Sequence, residues 1–329
     1  MYWNGKTILV TGAGGFIGSH LVERLVGEGA KVRAFVRYNG RSDIGALRYL
    51  AQESLAKVEV IFGDLRDPYA VGQAVQGVSH VFHLGAIIPI PYSYVHPQEV
   101  VSANVQGTLN VLMACREAGV QRLVHTSTSE VYGSALQVPI TEDHPLQTQS
   151  PYAASKAAAD KLAESFYCAF ELPVVTVRPF NTFGPRQSAR AVIPTVICQA
   201  LAGRDIRLGD LTPTRDFTYV TDTVAGFLAA GEAEGVEGLV LNLGCGREIS
   251  VGDLAGRILR LCGSSAQVIH DPARFRPSRS EVRRLLSSNR RAKEKMGWEP
   301  RMTLDEGLTE TIAWVRAHPE LFDPEKYTI

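Results

Sequence analysis

The sequence predicts an α/β protein with a doubly wound parallel sheet, and two observations carry that prediction. The first is rhythm. Short apolar runs at 8–10, 32–36, 58–62, 80–84, 123–126 and 174–177 alternate with helical stretches near 15–28, 41–53, 69–76, 98–118 and 152–171. Such alternation lays parallel strands side by side and puts their crossover helices on both faces. The second is a turn, Gly12-Ala-Gly-Gly15-Phe-Ile-Gly18, placed between the first strand and the first helix. Glycine is needed there where the chain bends sharply, where backbone comes close to a ligand, and where helix packs on strand.

Each element has its own reason. The first strand is an apolar Ile-Leu-Val run, and the helix after the turn carries Ile17, Leu21 and Leu25 on one face. The stretches 98–118 and 152–171 carry apolar stripes, Val101, Val105, Leu109 and Leu112 on one and Leu162, Phe166 and Phe170 on the other. Beyond about residue 180 the pattern changes: Pro179, Gly184, Pro185, Pro194, Pro213 and Pro272 punctuate shorter elements. A strand over 239–243 and helices near 251–261 and 304–316 follow. The division expected is a first domain over 1–180 and a smaller mixed α/β region over 181–329, with a soft boundary and segments that can interleave.

Bulk properties narrow the function classes. At 329 residues and 45% hydrophobic content, the chain suits one large or two modest domains. Its 34 basic and 34 acidic residues balance, which gives no electrostatic reason for nucleic acid or an anionic membrane as partner. No apolar run approaches the ~20 residues needed to span a bilayer. The first strand begins within a few residues of Met1, so the expectation is a cytoplasmic protein without a signal peptide. Cys115, Cys168, Cys198, Cys245 and Cys262 are odd in number and widely spaced, and read as reduced thiols. His80 and His83 stand three apart on a strand, hence on opposite faces, and are rejected as a metal pair. No metal is expected.

Chemistry enters through two constellations. The glycine turn opens a helix whose free N–H groups and positive dipole end suit a pyrophosphate, as in a Rossmann-type dinucleotide site. The strand ending at Thr126 continues as Ser127-Thr128-Ser129-Glu130-Val131-Tyr132, which puts hydroxyls and a carboxylate at its carboxyl end, where ligands of open α/β sheets bind. Tyr152 and Lys156 lie four apart on a helix and so share a face. A lysine there is expected to favour the phenolate and make Tyr152 a general base near neutral pH.

Together these residues resemble the extended short-chain dehydrogenase/reductase superfamily, in its nucleotide-sugar epimerase and dehydratase branch, over essentially the whole chain. Gly63-Asp64-Leu65 is similar to that family's adenine-side strand end. His83-Leu84-Gly85-Ala86 resembles its usual His-Leu-Ala-Ala, and Asn104 precedes Gly107-Thr108 as in the family. Arg178-Pro-Phe-Asn-Thr-Phe-Gly-Pro185, Arg215-Asp216-Phe217 and Arg276-Pro277 are similar to its sugar-nucleotide segments. The resemblance implies cofactor contacts from Gly12, Gly15, Phe16, Ile17, Gly18, Arg37, Asp64, Leu65, Leu84 and Ala86, with Tyr152 and Lys156. It implies a catalytic set of Thr128, Ser129, Glu130, Tyr152 and Lys156. Substrate contacts are expected from Asn181, Arg190, Arg215, Arg276 and Glu281, the arginines supplying bidentate donors to a diphosphate. Solvated surface charge is the alternative for them.

The cofactor implied is NAD(P), tightly bound and recycled. The second strand ends in Arg37 with no acidic residue for a ribose 2′-hydroxyl, which favours NADP over NAD, with Arg41 a possible helper. Three reactions share the first step, oxidation at sugar C4: 4-epimerisation, decarboxylation and 4,6-dehydration. Glu130, two residues after Thr128, resembles the catalytic Thr-x-Glu of hexose 4,6-dehydratases, although similar segments occur in UDP-glucuronate decarboxylases. Residues 90–94, 180–194 and 211–217 are similar to the dehydratases of legionaminic-acid-type nonulosonate pathways, which act on GDP- or UDP-N-acetylglucosamine. A 4,6-dehydratase is therefore expected, with UDP-hexose 4-epimerase or UDP-glucuronate decarboxylase as alternatives. A catalytically silent dinucleotide-binding regulator would be expected to lack Tyr152 or Lys156, and both are present. The resemblance also implies a homodimer through the helices near 98–118 and 152–171.

Overall fold

The computed structural model describes residues 1–325. The first half of the chain forms β1 (Thr7–Thr11), α1 (Phe16–Gly27), β2 (Lys31–Arg37), α2 (Gln52–Leu55), β3 (Val58–Gly63), α3 (Pro68–Val75), β4 (His80–His83), α4 (Ile90–Val95), α5 (Pro97–Val101), α6 (Gly107–Ala118), β5 (Arg122–Thr126) and α7 (Pro151–Phe170). There follow β6 (Val174–Pro179), β7 (Asn181–Phe183), α8 (Val192–Leu201), β8 (Ile206–Leu208), β9 (Thr214–Tyr219), α9 (Val220–Glu232) and β10 (Val240–Leu243). The last elements are β11 (Glu248–Ser250), α10 (Val251–Cys262), β12 (Val268–His270), α11 (Arg290–Met296) and α12 (Leu304–Ala317).

Seven parallel strands form the main sheet in the order β10-β6-β5-β4-β1-β2-β3. The period-2 pattern of β1 explains why both faces are covered: Ile8 and Val10 enter one core with Leu21, Leu25 and Phe227, whereas Leu9 enters the other with Val111, Leu112 and Phe166. Chain direction across the sheet reverses between β1 and β4, and such a switch point is where sheets of this kind form their ligand crevice. β10 and α9 come from beyond residue 180 yet complete this sheet and cover β5 and β6. The second half of the chain is thus threaded through the first. Two small sheets, β11-β9-β7 and β12-β8, pack with α8, α10 and α12.

Three local departures have physical causes. Instead of a helix over 41–53 there is a short 3₁₀ turn, Gly45–Tyr49, and the four-residue α2. Asn39 Oδ1 accepts from the N–H groups of Arg41 and Asp43, and Asp43 Oδ1 from that of Gly45, so side chains compete with helix formation. The expected 98–118 helix is broken by a π turn at Ser102–Gln106, which carries Asn104. Of the two apolar stripes, Leu112 and Phe166 are buried in the core beneath the sheet. Val101, Met113, Tyr167 and Phe170 are the large apolar side chains left exposed on these helices.

Candidate active site

The crevice at the end of β1 is lined by backbone. Gly12 has φ of +68°, and a Cβ there would stand 2.8 Å from the Gly85 nitrogen, so the turn lies directly on the chain leaving β4. A Cβ on Gly18 would collide with the Gly12 carbonyl. Gly15 precedes α1 in an extended conformation with no side-chain cap, which leaves the first N–H groups, those of Phe16 and Ile17 among them, for an anion. These residues fit a dinucleotide pyrophosphate. Leu84 donates its N–H to Thr11 O, Leu65 packs against Gly85 beside Ala86, and Asn110 Nδ2 donates to Leu65 O. Asp64 closes the β3 end; the Arg66 side chain bonds both its oxygens, and that bond holds the carboxyl below its usual range. Arg37, exposed at the end of β2, donates to Glu99 Oε1 at 3.3 Å.

A second group of expected site residues lies at the carboxyl end of β5 and the start of α7. Thr128 leaves β5 and caps a 3₁₀ turn over Ser129–Tyr132, its hydroxyl accepting from the Glu130 N–H at 3.2 Å. Ser150 caps α7 and Pro151 starts it, which puts Tyr152 in the first turn and Lys156 one turn further, both buried. The Thr128 side chain acts on the Tyr152 phenol in favour of its ionised form. Glu130 is half-buried, with its charge acting on the same phenol, and Ser129 is buried between them in sequence. Thr128, Glu130, Tyr152 and Lys156 are therefore brought together.

One expectation is corrected here. The Tyr152 phenol is not lowered in the protein itself. Burial pushes it up, the Thr128 side chain works against that, and the charges of Glu130 and Asp160 add to the rise. Burial also brings Lys156 down to about 8, with Asp160 opposing. Desolvation is the largest cause at both groups.

Beneath the pair lies a polar network that spacing alone did not reveal. Asp160, one turn beyond Lys156, accepts from Ser127 Oγ at 2.7 Å and from Arg178 Nη2 at 2.9 Å, and bonds His125 Nε2 at 3.1 Å. Burial raises the Asp160 carboxyl, but His125, Arg178 and Ser127 outweigh it and bring it to about 2. Arg178 also donates to Tyr132 Oη, which donates to Asn242 Oδ1. His83 joins Thr11 and Thr108, whereas His80 bonds Tyr2 and Ser79. Asn104 of the π turn holds the Ile87 backbone and donates to Ser155 Oγ at 2.9 Å. The signal for Asp160 was present as a third member of the Tyr152/Lys156 face, at i+8 and i+4.

Across the crevice, Glu281 holds two arginines, Arg215 at 3.1 Å and Arg276 at 3.8 Å. Arg276 Nη1 and Asn181 Nδ2 are buried donors without a hydrogen-bond partner. Buried donors left open in this way suit an anionic ligand. Tyr94 of α4 reaches the same segment, bonding Ser280 Oγ at 2.6 Å. Arg190 stands apart in the turn before α8, its side chain donating to the Ser188 hydroxyl at 3.2 Å. Among the described residues no group of three or more His, Cys, Asp or Glu could hold a metal ion, and no helix is long and apolar enough to cross a membrane.

A sheet with a dinucleotide turn at its switch point, a Tyr/Lys pair facing it and arginines opposite defines an enzyme of the nucleotide-sugar-modifying type. The family described as GDP-mannose 4,6 dehydratase matches residues 9–311, and the chain belongs to it. Its relatives include a UDP-glucose 4-epimerase of Mycolicibacterium smegmatis, 36% identical and covering 94% of this chain and 98% of its own. A dTDP-glucose 4,6-dehydratase of Streptomyces griseus is 34% identical over 96% of both chains. The solved dTDP-glucose 4,6-dehydratase of Streptomyces venezuelae, which has NAD bound, superposes with a TM-score of 0.84 at 29% identity, over 97% of this chain and 100% of its own.

Proposed function

We propose that this enzyme is a 4,6-dehydratase acting on a GDP- or UDP-linked N-acetylhexosamine of the N-acetylglucosamine type. The observation that carries the reading is Glu130: a carboxylate in the Thr128 turn, close enough to Tyr152 for its charge to act on the phenol. Only dehydration among the reactions of this family needs a dedicated acid/base group for C5 and C6. The N-acetylhexosamine is supported by the segments that the sequence singled out, two of which reach residues 280 and 281, Tyr94 through Ser280 and Arg215 through Glu281.

When bound, the dinucleotide supplies the nicotinamide that takes the C4 hydride and delivers it to C6. The chain does the rest. Tyr152 receives the C4 hydroxyl proton while Thr128 holds the reacting oxygen. Lys156, charged for the most part at neutral pH, makes the phenolate tolerable in a buried site. The C4 ketone acidifies the C5 proton, which Glu130 removes. The C6 hydroxyl then leaves as water, protonated by the same carboxyl with the Ser129 hydroxyl alongside, and a solvent proton returns to C5. Asn181, Arg215 and Arg276 grip the diphosphate. The protein is read as a cytoplasmic homodimer, its partner covering Val101, Met113, Tyr167 and Phe170 of α5, α6 and α7.

A second reading, 4-epimerase, is favoured by the 36% identical relative of that name. Glu130→Gln separates the two. For a dehydratase, C4 oxidation survives, reduced cofactor accumulates with its absorbance near ~340 nm, and no 4-keto-6-deoxy sugar forms. Normal turnover by the variant, with a 4-epimer as product, would discard the dehydratase.

A further inference from the structure

The end of β2 carries more than Arg37. In register, Thr11 of β1 faces Phe35 and Arg37 faces Gly63 of β3, so Arg37 lies beyond the last paired residue of β1, beside the glycine turn and next to Asp64. A Cβ on Gly14 would stand 3.4 Å from Val36 Cγ1, which fixes that closeness. In folds of this type, the residue ending the second strand meets the adenosine ribose. Two cations and two carboxylates gather there and cancel in pairs. Arg66 takes both oxygens of Asp64. Arg37 takes Glu99 Oε1, and the other Glu99 oxygen accepts from the Tyr92 hydroxyl of α4. Arg41, on the exposed loop beyond, is a further cation of this edge, and Asp43 in that loop is bonded to Arg48.

We propose that Glu99 is the residue that sets dinucleotide selection, by neutralising Arg37 so that the site takes NAD in preference to NADP. A 2′-phosphate would have to separate Arg37 from Glu99 and then lie next to a carboxylate that Tyr92 keeps from turning away. An uncharged ribose hydroxyl meets no such penalty. The hydrogen bond from Tyr92, with help from Arg37, holds the Glu99 carboxyl below its ordinary range, so the opposing charge is present at neutral pH. The NADP preference expected from Arg37 alone is thereby reversed. This inference rests on dinucleotide binding at the glycine turn, and not on which sugar reaction follows.

The test reads the bound nucleotide, not turnover. Wild-type enzyme, Glu99→Gln and the Glu99→Gln/Arg37→Ala double variant are purified from one host and denatured, and the released NAD and NADP are separated and quantified. Titration of each nucleotide against thermal unfolding gives the same ratio where the released pool is small. Wild type is expected to hold mainly NAD. Glu99→Gln should raise the NADP-to-NAD ratio by up to about fivefold, and the double variant should lose that gain. Glu99→Asp, which draws the carboxylate back from Arg37 with the charge kept, should shift the ratio in the same direction and covers the case in which Glu99→Gln folds poorly. Wild type holding mainly NADP, or a ratio unchanged in the Glu99 variants, would overturn the proposal.

Discussion

The two walls of the crevice are built on opposite electrostatic plans. On the α7 wall, Asp160, Arg178, His125 and Ser127 are buried and mutually bonded, and the network fixes the helix that presents Tyr152 and Lys156. On the opposite wall, Arg215 and Arg276 share the single carboxylate of Glu281, while Arg276 Nη1, paired with it only at 3.8 Å, and Asn181 Nδ2 have no hydrogen-bond partner. A satisfied buried network positions groups. An under-satisfied one holds donors in readiness for an anion. The difference teaches that chemistry and substrate affinity can be damaged separately here, and each variant below attacks one wall.

The largest effect is expected from the α7 wall. Tyr152→Phe removes the proposed proton acceptor and should lower kcat by ~10²–10⁴-fold with the fold intact; retention of more than a tenth of turnover would move the base elsewhere. Asp160→Asn strikes the scaffold beneath it. Breaking a buried pair by removing one partner costs ~3–5 kcal/mol, which denaturant unfolding would register. The same variant has a pH signature. The Asp160 carboxylate favours the Lys156 ammonium, so its loss should lower Lys156 further below about 8. The alkaline limb of activity then moves to lower pH. An unshifted limb would reduce Asp160 to a purely structural part.

Smaller, and of a different kind, is Arg276→Ala on the facing wall. It should raise KM about tenfold or more, since a charged hydrogen bond is worth ~1.5–3 kcal/mol, and leave kcat and unfolding nearly unchanged. A loss of kcat instead would erase the contrast between the walls.

What was legible in the sequence was local. The glycine turn, the Thr128 strand end and the Tyr152/Lys156 face are each written within a few residues, because strand, turn and helix periods fix them. The Asp160 network was less legible because β5, α7 and β6 supply it together, and only the fold brings Ser127, Asp160 and Arg178 to one point. α9 escaped the periodic reading because small residues make its close contacts: Gly226 packs on Leu243 and Trp298, and Gly231 on Trp3. The phenol's rise had no sequence signal, since burial decides it. Arg37 was legible as a cation, but its neutralising partner comes from α5, 62 residues away.

The central claim is that Glu130 gives this site chemistry at C5, and isotope incorporation tests it most directly. Wild-type enzyme incubated in deuterated water with UDP- and GDP-N-acetylglucosamine, followed by NMR, should yield a 4-keto-6-deoxy sugar carrying deuterium at C5. A C4 epimer whose C5 remains protonated would contradict the account.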